Sequence, residues 1–327
     1  MNKPVHIGVI GGGAWGTALA ANEARAGHQV TLWARDAALV SAINNQHQNP
    51  HYLPGVTLPA SMQATASLAE ACETADILLL CVPAQTLASM VTRCDVHAPA
   101  HTIFVSCAKG IDRASSQTMT QAIANLTPNR SIAVLSGPSF AADVARFLPT
   151  AVIIAAHDKT AALQLCQTLS NDTLRCYASN DVLGAELGGA LKNVLAIAVG
   201  IARGKGLGAS AEASIIARGF AELTRIGTAL GARAETLAGL SGMGDLVLTC
   251  SSEKSRNFAY GIAIGRGDSL DNLKLAEGAL TASVAAHLVR AQKIAAPLIE
   301  AVDGILEKRA SVDETIAALL SRPITTE

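Results

Sequence analysis

Short apolar segments alternate with helix-like segments along the first half of the chain. Continuous or alternating apolar runs predict strands, whereas small and apolar residues that recur every three or four positions predict helices. The predicted strands are Val5–Ile10, Gln29–Ala34, Asp76–Val82, Thr102–Ser106, Ile132–Ser136 and Thr150–Ala156. The predicted helices are Ala14–Ala26, Asp36–Asn45, Ala84–Cys94 and Ser115–Asn125, and the polar segment Asn44–Pro59 is predicted to be a loop. This alternation predicts a parallel sheet with helices on both faces.

The pattern becomes helical near Ser179 and stays so. The predicted helices are Asn180–Arg203, Ser210–Leu230, Asn257–Ile264, Leu280–Ala291, Ala295–Lys308 and Val312–Leu320. Asp181 and Ser210 occupy predicted N-cap positions, and Gly204 and Gly231 predicted helix ends. We therefore predict an α/β domain over residues 1–179 and an all-α domain over residues 180–327, with the active site in the cleft between them.

Composition narrows the class of protein. Half of the 327 residues are hydrophobic and 16% are charged, with a net charge of -1. The chain has no basic tract, so we expect it to bind neither nucleic acid nor an anionic membrane. We also expect it to be soluble, because its apolar runs are short. No apolar run reaches the ~20 residues that span a bilayer. The seven cysteines are scattered without a Cys-x-x-Cys pair, which indicates reduced thiols and a cytoplasmic location. Prolines interrupt the spaced histidine pairs, so no metal site is expected.

A glycine-rich turn follows the first predicted strand. Gly11, Gly13 and Gly16 fit the Gly-x-Gly-x-x-Gly spacing between a strand and a helix. In that pattern the first glycine permits the tight turn, the second lets the backbone approach a pyrophosphate, and the third lets the helix pack closely on the strand. The helix N-terminus then offers free N–H groups to the phosphates. The sequence predicts a Rossmann-type, doubly wound domain that binds a dinucleotide.

The end of the second strand bears on which nucleotide is bound. Arg35 stands about 20 residues after the glycine turn, where an arginine accommodates the 2′-phosphate of NADP. Asp36 follows it, either as a ligand of the ribose or as the N-cap of the next helix. We expect NADP(H) to be favoured and NAD(H) to be tolerated.

The helical half contains a candidate proton donor. Reduction of a ketone needs a general acid, and Lys192 is the only cation in the apolar stretch from Glu186 to Val199. Such a lysine either extends to the surface or meets a partner in a cleft. Asp245, in the glycine-rich loop Leu240–Leu246, is a carboxylate that can hold the ammonium group or a substrate hydroxyl.

Three other segments offer groups for an anionic substrate. Ser255, Arg256 and Asn257 combine a forked donor with short polar side chains near a helix N-terminus, which suits a phosphate. Two further groups follow predicted strands, where ligands bind in open parallel sheets. They are Lys109, and Gly137 with Ser139.

Taken together, these motifs resemble those of bacterial NAD(P)-dependent glycerol-3-phosphate dehydrogenases over essentially the whole chain. The matching motifs, in the order of the family, are Gly-x-Gly-Ala-Trp-Gly-Thr-Ala-Leu-Ala, Ala-Lys109-Gly, Ser-Gly137-Pro-Ser139-Phe-Ala, Leu-Lys192-Asn, Gly-Met-Gly-Asp245-Leu and Ser255-Arg256-Asn257. The family often has serine where this chain has Ala14, so one side-chain contact to the cofactor is lost. The resemblance implies a fold like that of 6-phosphogluconate dehydrogenase.

The resemblance also implies roles for individual residues. It makes Lys192 the catalytic lysine. The implied substrate-binding residues are Lys109, Gly137, Ser139, Lys192, Asp245, Ser255, Arg256 and Asn257. The implied cofactor-binding residues are Gly11, Gly13, Ala14, Trp15, Gly16, Arg35, Tyr52, Lys109, Ala141, Arg256, Leu275 and Glu277.

The implied activity is reversible reduction of dihydroxyacetone phosphate to sn-glycerol 3-phosphate by a cytoplasmic homodimer that supplies glycerophospholipid synthesis. Two alternatives remain at this point. One is a hydroxyacid or sugar-acid dehydrogenase of the same architecture. The other is a nucleotide-sensing protein without turnover, which would have little reason to place Lys192 beside Asp245.

Overall fold

The computed structural model describes residues 4–271, 273 and 276–322. It separates into two compact units, Met1–Glu186 and Leu187–Glu327. The first contains the sheet and the second is helical in its described part.

An eight-stranded sheet organises the first unit. The strands of the chain are β1 (His6–Ile10), β2 (Gln29–Trp33), β3 (Gln48–Asn49), β4 (Leu53–Thr57), β5 (Gln63–Thr65), β6 (Ile77–Leu80), β7 (Ile103–Ser106), β8 (Ile132–Ser136), β9 (Thr150–Ala156) and β10 (Leu174–Ser179). The sheet order is β10-β9-β8-β7-β6-β1-β2-β5, and β3 and β4 form a separate antiparallel hairpin. All neighbours in the sheet are parallel except β8 and β9. The predicted α/β class is confirmed, with this one reversal added.

Helices cover the sheet, and the side chains of β6 contribute to two of its buried apolar clusters. The helices are α1 (Ala14–Arg25), α2 (Ala37–Gln46), α3 (Leu68–Cys72), α4 (Ala84–Asp95), α5 (Met119–Leu126), α6 (Ala141–Ala145) and α7 (Lys159–Leu169). Side chains alternate between the faces of a strand. In β6, Ile77 and Leu79 therefore join one buried cluster, whereas Leu78 and Leu80 join the other.

Some local predictions for this unit were wrong. The segment Asn44–Pro59 is not a loop, because α2 continues to Gln46 and the β3–β4 hairpin follows. Helix α5 begins at Met119, where Thr118 and Gln121 form a capping box, and not at Ser115. The short elements α3, β5 and α6 were missed because few periods are present to recognise. The eleven-residue helix α7 and the edge strand β10 were missed as well.

Eight helices and one π-helical turn form the described part of the second unit and the segment leading into it. They are α8 (Val182–Gly204), α9 (Ala209–Ala229), α10 (Ala234–Ala238), the π-helical turn (Leu240–Gly244), α11 (Asp245–Cys250), α12 (Arg256–Arg266), α13 (Glu277–Ala291), α14 (Pro297–Leu306) and α15 (Val312–Leu320). The predicted helices are present, but α10 and α11 were not predicted, and two further details differ. Gly208 and not Ser210 is the N-cap of α9, and the segment from Leu240 is helical rather than a loop.

Helix α8 is the most apolar long element. It is the one helix in the described part of the chain with the length and composition to cross a bilayer, although no such run was expected from the sequence. In the structure, 94% of the 18-residue apolar stretch of this helix is buried inside the protein. We conclude that α8 is a core helix.

Glycines let α8 approach α12 closely. A Cβ atom at Gly200 or Gly204 would overlap the carbonyl oxygens of Phe258 or Ile262, respectively. On the opposite helix, a Cβ atom at Gly261 would overlap the carbonyl oxygen of Ile197. The two main chains are therefore in direct contact, without side chains between them.

Candidate dinucleotide and substrate sites

The turn after β1 is shaped by its glycines. Gly11 has φ +124°, a conformation that favours glycine, and its N–H donates to the carbonyl of Trp33 at 3.1 Å. A Cβ atom at Gly16 would overlap the carbonyl oxygen of Gly11. Glycine at position 16 thus lets the first turn of α1 lie against the end of β1, as the sequence pattern predicts.

The N-terminus of α1 has the features of a phosphate site. Its N-cap is Gly13, which has no side chain to satisfy the first N–H groups of the helix. A Cβ atom at Gly13 would meet no heavy atom within 4 Å, so this edge of the turn has open space beside it. Ala14 and Trp15 begin the helix, and the buried Nε1 of Trp15 has no hydrogen-bond partner among the described residues. These unsatisfied donors fit a dinucleotide.

At the end of β2, Asp36 is the cap of the following helix. The Asp36 carboxylate accepts a hydrogen bond from the Ala38 N–H at 2.9 Å and is the N-cap of α2. Arg35 is exposed beside it, so its guanidinium is available to an anion. Tyr52, 42% exposed, lies in the segment between β3 and β4.

A second group of predicted residues meets at the ends of β7 and β8. Lys109 Nζ donates to the carbonyl oxygen of Gly137 at 2.9 Å, and Ser139 Oγ donates to the same oxygen at 3.1 Å. Ala141 is the first residue of α6 and packs partly against the sheet core. The structure therefore brings Lys109, Gly137 and Ser139 together at one edge of the sheet.

The second unit holds a buried ion pair. Lys192 in α8 and Asp245 at the start of α11 are 6% and 1% exposed, and their Nζ and Oδ1 atoms are 2.7 Å apart. Lys192 Nζ also donates to Thr249 Oγ1 at 2.5 Å. Buried charges are tolerated when they are paired and hydrogen-bonded. This arrangement gives an ammonium group with a defined position and a proton that it can donate.

Cys250 lies next to this ion pair but is chemically inert there. Burial raises the pKa of the Cys250 thiol to about 12, with the Asp245 charge acting in the same direction and the Lys192 charge opposing it. The thiol therefore stays protonated at neutral pH and is not a competing base or nucleophile.

The polar run before α12 is also ordered by its side chains. Ser255 is the N-cap of α12 and accepts from the Phe258 N–H at 3.3 Å. Asn257 donates to Asn193 Oδ1 at 2.8 Å and accepts from the Gly278 N–H at 2.9 Å. Arg256 is exposed as the first residue of the helix.

Asn257 also connects the start of α13 to this region, since Glu277 is the first residue of α13 and precedes Gly278. Glu277 is half-buried. Leu275 lies outside the described residues.

Two polar residues of this region were not predicted. Thr249 is one helical turn after Asp245, so the two side chains share a face, and that spacing was the available signal. Asn193 directly follows Lys192, but its link to Asn257 spans 64 residues of sequence. Nothing in a single sequence indicates such a pairing.

The glycine turn, the mostly parallel sheet and the helical second unit are typical of NAD(P)-dependent dehydrogenases. Sequence profiles for the N-terminus and the C-terminus of NAD-dependent glycerol-3-phosphate dehydrogenase match residues 6–162 and 181–317. The chain belongs to this family.

Named relatives agree with this assignment. The chain is 54% identical, over the full length of both proteins, to the glycerol-3-phosphate dehydrogenase [NAD(P)+] of Chelativorans sp.. It is 50% identical to that of Brucella canis, covering 98% of each chain.

Solved structures show the same fold. A glycerol-3-phosphate dehydrogenase from Coxiella burnetii superposes with a TM-score of 0.92 at 34% identity, covering 98% of this chain and 99% of the other. A PanE/ApbA family ketopantoate reductase from Ralstonia eutropha, 15% identical with a TM-score of 0.62, shares the fold alone, covering 95% of this chain and 100% of the other.

Proposed function

We propose that the protein catalyses the reversible NAD(P)H-dependent reduction of dihydroxyacetone phosphate to sn-glycerol 3-phosphate. The observation that carries the chemistry is the buried Lys192–Asp245 pair, with Nζ and Oδ1 2.7 Å apart. The family membership supplies the substrate. When bound, the reduced nicotinamide provides the hydride for the C2 carbonyl carbon.

Lys192 is the general acid of this proposal. Its ammonium group donates a proton to the substrate oxygen as the alkoxide develops, and the neutral amine takes the proton back in the reverse direction. Asp245 and Thr249 accept hydrogen bonds from Nζ, so they hold the ammonium group in a defined position. The pair is thus preorganised and needs little rearrangement at the moment of transfer.

Binding roles are divided between the two units. We assign residues 1–179 to dinucleotide binding and residues 180–327 to catalysis and substrate binding, with Lys109 and Ser139 of the first range as further substrate-binding residues. Ser255, Arg256 and Asn257 provide donors for the substrate phosphate, and Lys109 with Ser139 provides donors in the first unit.

Arg35 favours NADP(H), because its exposed guanidinium suits a 2′-phosphate and Asp36 is engaged as a helix cap. The remaining cofactor contacts are those implied by the resemblance, including Tyr52, Ala141, Leu275 and Glu277.

The proposal extends to the setting of the enzyme. A cytoplasmic homodimer fits the seven free cysteines and the family to which the chain belongs. Its product supplies glycerophospholipid synthesis. Analytical ultracentrifugation of the purified protein tests the dimer, and a monomer at micromolar concentration contradicts it.

The activity is tested by loss of NADPH absorbance when dihydroxyacetone phosphate is added, with NADH in parallel. We expect oxidation of both, faster with NADPH. Oxidation only with other 2-oxo acids or sugar acids supports a dehydrogenase of different specificity. Binding of NADPH without oxidation of any substrate in the panel supports a nucleotide sensor and overturns the proposal.

A further inference from the structure

A buried asparagine underlies the dinucleotide turn. Asn49, the last residue of β3, is 0% exposed. Its Nδ2 group donates to the carbonyl oxygen of Gly12 at 3.1 Å and to Thr17 Oγ1 at 2.8 Å. Its Oδ1 atom accepts from the Tyr52 N–H at 3.1 Å. Both amide hydrogens and the amide oxygen are therefore used, each on a different residue.

The contact with Gly12 fixes the orientation of one peptide plane. Thr17 Oγ1 also donates to the Gly12 carbonyl at 3.4 Å, so two side chains hold this oxygen on the inner side of the turn. In a planar trans peptide the carbonyl and the following N–H point in opposite directions. The Gly13 N–H therefore points away from Asn49.

The hydrogen bond from the Tyr52 N–H fixes a second segment to the same asparagine. The Tyr52 main chain is held by Asn49 Oδ1, while its side chain is 42% exposed. Pro50 and His51, which lie between Asn49 and Tyr52 in the sequence, are exposed. One buried amide thus connects the glycine turn with the segment that presents Tyr52.

We propose that Asn49 is a positioning residue for the dinucleotide: it directs the Gly13 N–H toward the phosphates and holds Tyr52 beside them. Asn49 itself makes no contact with the cofactor. The inference rests on the proposed function, because it assumes that the α1 N-terminus receives the phosphates of NADPH.

The test compares variants of Asn49 with matched variants of Asn44. Asn44 also bridges main-chain groups with its amide, donating to the Ala64 carbonyl at 2.9 Å and accepting from the Ala64 N–H at 2.8 Å, but these contacts join α2 to β5.

We expect Asn49→Ala to raise the NADPH Kd and KM roughly tenfold, the effect of losing one or two buried hydrogen bonds. Asn49→Asp should weaken binding further, because it replaces the donors by a carboxylate facing the Gly12 carbonyl. In Asn49→Ala, kcat at saturating NADPH and the KM for dihydroxyacetone phosphate should stay within about twofold of the unaltered protein.

The control variants Asn44→Ala and Asn44→Asp should lower the melting temperature without changing the NADPH Kd. If the Asn49 variants do not fold, Thr17→Val removes the second side chain that holds the Gly12 carbonyl, and it should raise the NADPH Kd about threefold. An unchanged Kd in a folded Asn49→Ala protein, or in Thr17→Val when that variant is used, overturns the inference and leaves the proposed function intact. Failure of the unaltered protein to bind NADPH overturns the proposed function itself.

Discussion

The dinucleotide turn of the first unit and the lysine cluster of the second unit are built from different groups. The turn is made of main chain: glycine N–H groups, a helix N-terminus and the Gly12 carbonyl, which accepts a hydrogen bond from Asn49. The cluster is made of side chains, with Lys192, Asp245 and Thr249 in contact inside a helical unit.

The difference determines how each region fails. A main-chain site depends on shape, so it is sensitive to added side-chain atoms where the backbone is closely packed, as at Gly16. A side-chain site depends on the identity of one group, and its scaffold can survive the loss of that group. Substitutions in the two units should therefore separate cofactor affinity from turnover.

The largest effect is expected at Lys192. Lys192→Ala removes the proton donor and should lower kcat by ~10²–10⁴-fold, the usual scale of general acid–base catalysis. The NADPH Kd, measured by fluorescence titration, should stay within about twofold because the turn is untouched. Lys205→Ala is the matched control, since Lys205 forms an ion pair with Asp313 at 2.7 Å outside the cluster. Near-normal turnover in Lys192→Ala would remove the lysine from the mechanism.

At Gly16 the expected effect is on cofactor binding rather than on the chemical step. In Gly16→Ala the new methyl group overlaps the Gly11 carbonyl, and the strain of about 1–3 kcal/mol should appear as roughly 5- to 150-fold weaker NADPH binding. Calorimetric titration measures it. Gly304→Ala is the control, because a Cβ atom there meets nothing within 4 Å. An alanine at position 16 that binds NADPH normally would mean that the turn is more adaptable than its packing indicates.

A smaller effect on turnover is expected at Thr249. Thr249→Val keeps the shape but loses the hydroxyl that accepts from Lys192 Nζ at 2.5 Å. We expect kcat to fall about five- to tenfold, which corresponds to about 1–1.4 kcal/mol and lies within the usual net contribution of one hydrogen bond. In steady-state kinetics, the kcat of Thr249→Ser should be close to that of the unaltered protein. If Ser and Val behave alike, the hydroxyl has no part in holding the lysine.

The smallest effect on turnover is expected at a buried carboxylate of the same unit with no part in the proposed chemistry. Glu222 in α9 accepts from the Leu298 N–H at 2.8 Å and the Ile299 N–H at 3.2 Å, at the start of α14. Burial raises its pKa to about 7, although these N–H groups and the charges of Arg225 and Arg322 oppose the shift. The folded state therefore holds a proton that the unfolded state has released. This contribution to stability is complete below the ordinary pKa of glutamate and is lost as pH rises through about 7.

Urea unfolding between about pH 5 and 8 measures this contribution. Glu222→Gln should remove a slope of up to about 1.4 kcal/mol per pH unit from the free energy of unfolding in this range. Glu212→Gln is the comparison, because Arg203 lowers the pKa of Glu212 and that carboxylate is ionised in both states over this range. An identical slope in Glu222→Gln and the unaltered protein would show that Glu222 does not titrate there.

The two regions also differ in how far sequence could predict them. The glycine turn was predictable because its geometry is local: a buried strand, three spaced glycines and a helix lie within twenty residues. Lys192 and Asp245 were recognisable as residue types, but their contact depends on the packing of α8 against α11. Asn49 was hidden in a polar segment predicted to be a loop, and its partners Gly12 and Thr17 lie more than thirty residues earlier. Long-range pairing of side chains therefore marks the limit of what this single sequence could predict.

The contact between α8 and α12 has a consequence for how this protein can diverge. On both sides of that contact a glycine faces the opposite main chain, as Gly200 does at Phe258 and Gly261 at Ile197. In most interfaces a larger residue on one helix can be offset by a smaller one on the other. Here the larger residue would meet the opposite main chain, so no smaller side chain can compensate for it. Covariation should therefore be absent from these positions. Among homologues, we expect the glycines to be lost only together with a wider spacing of the helices.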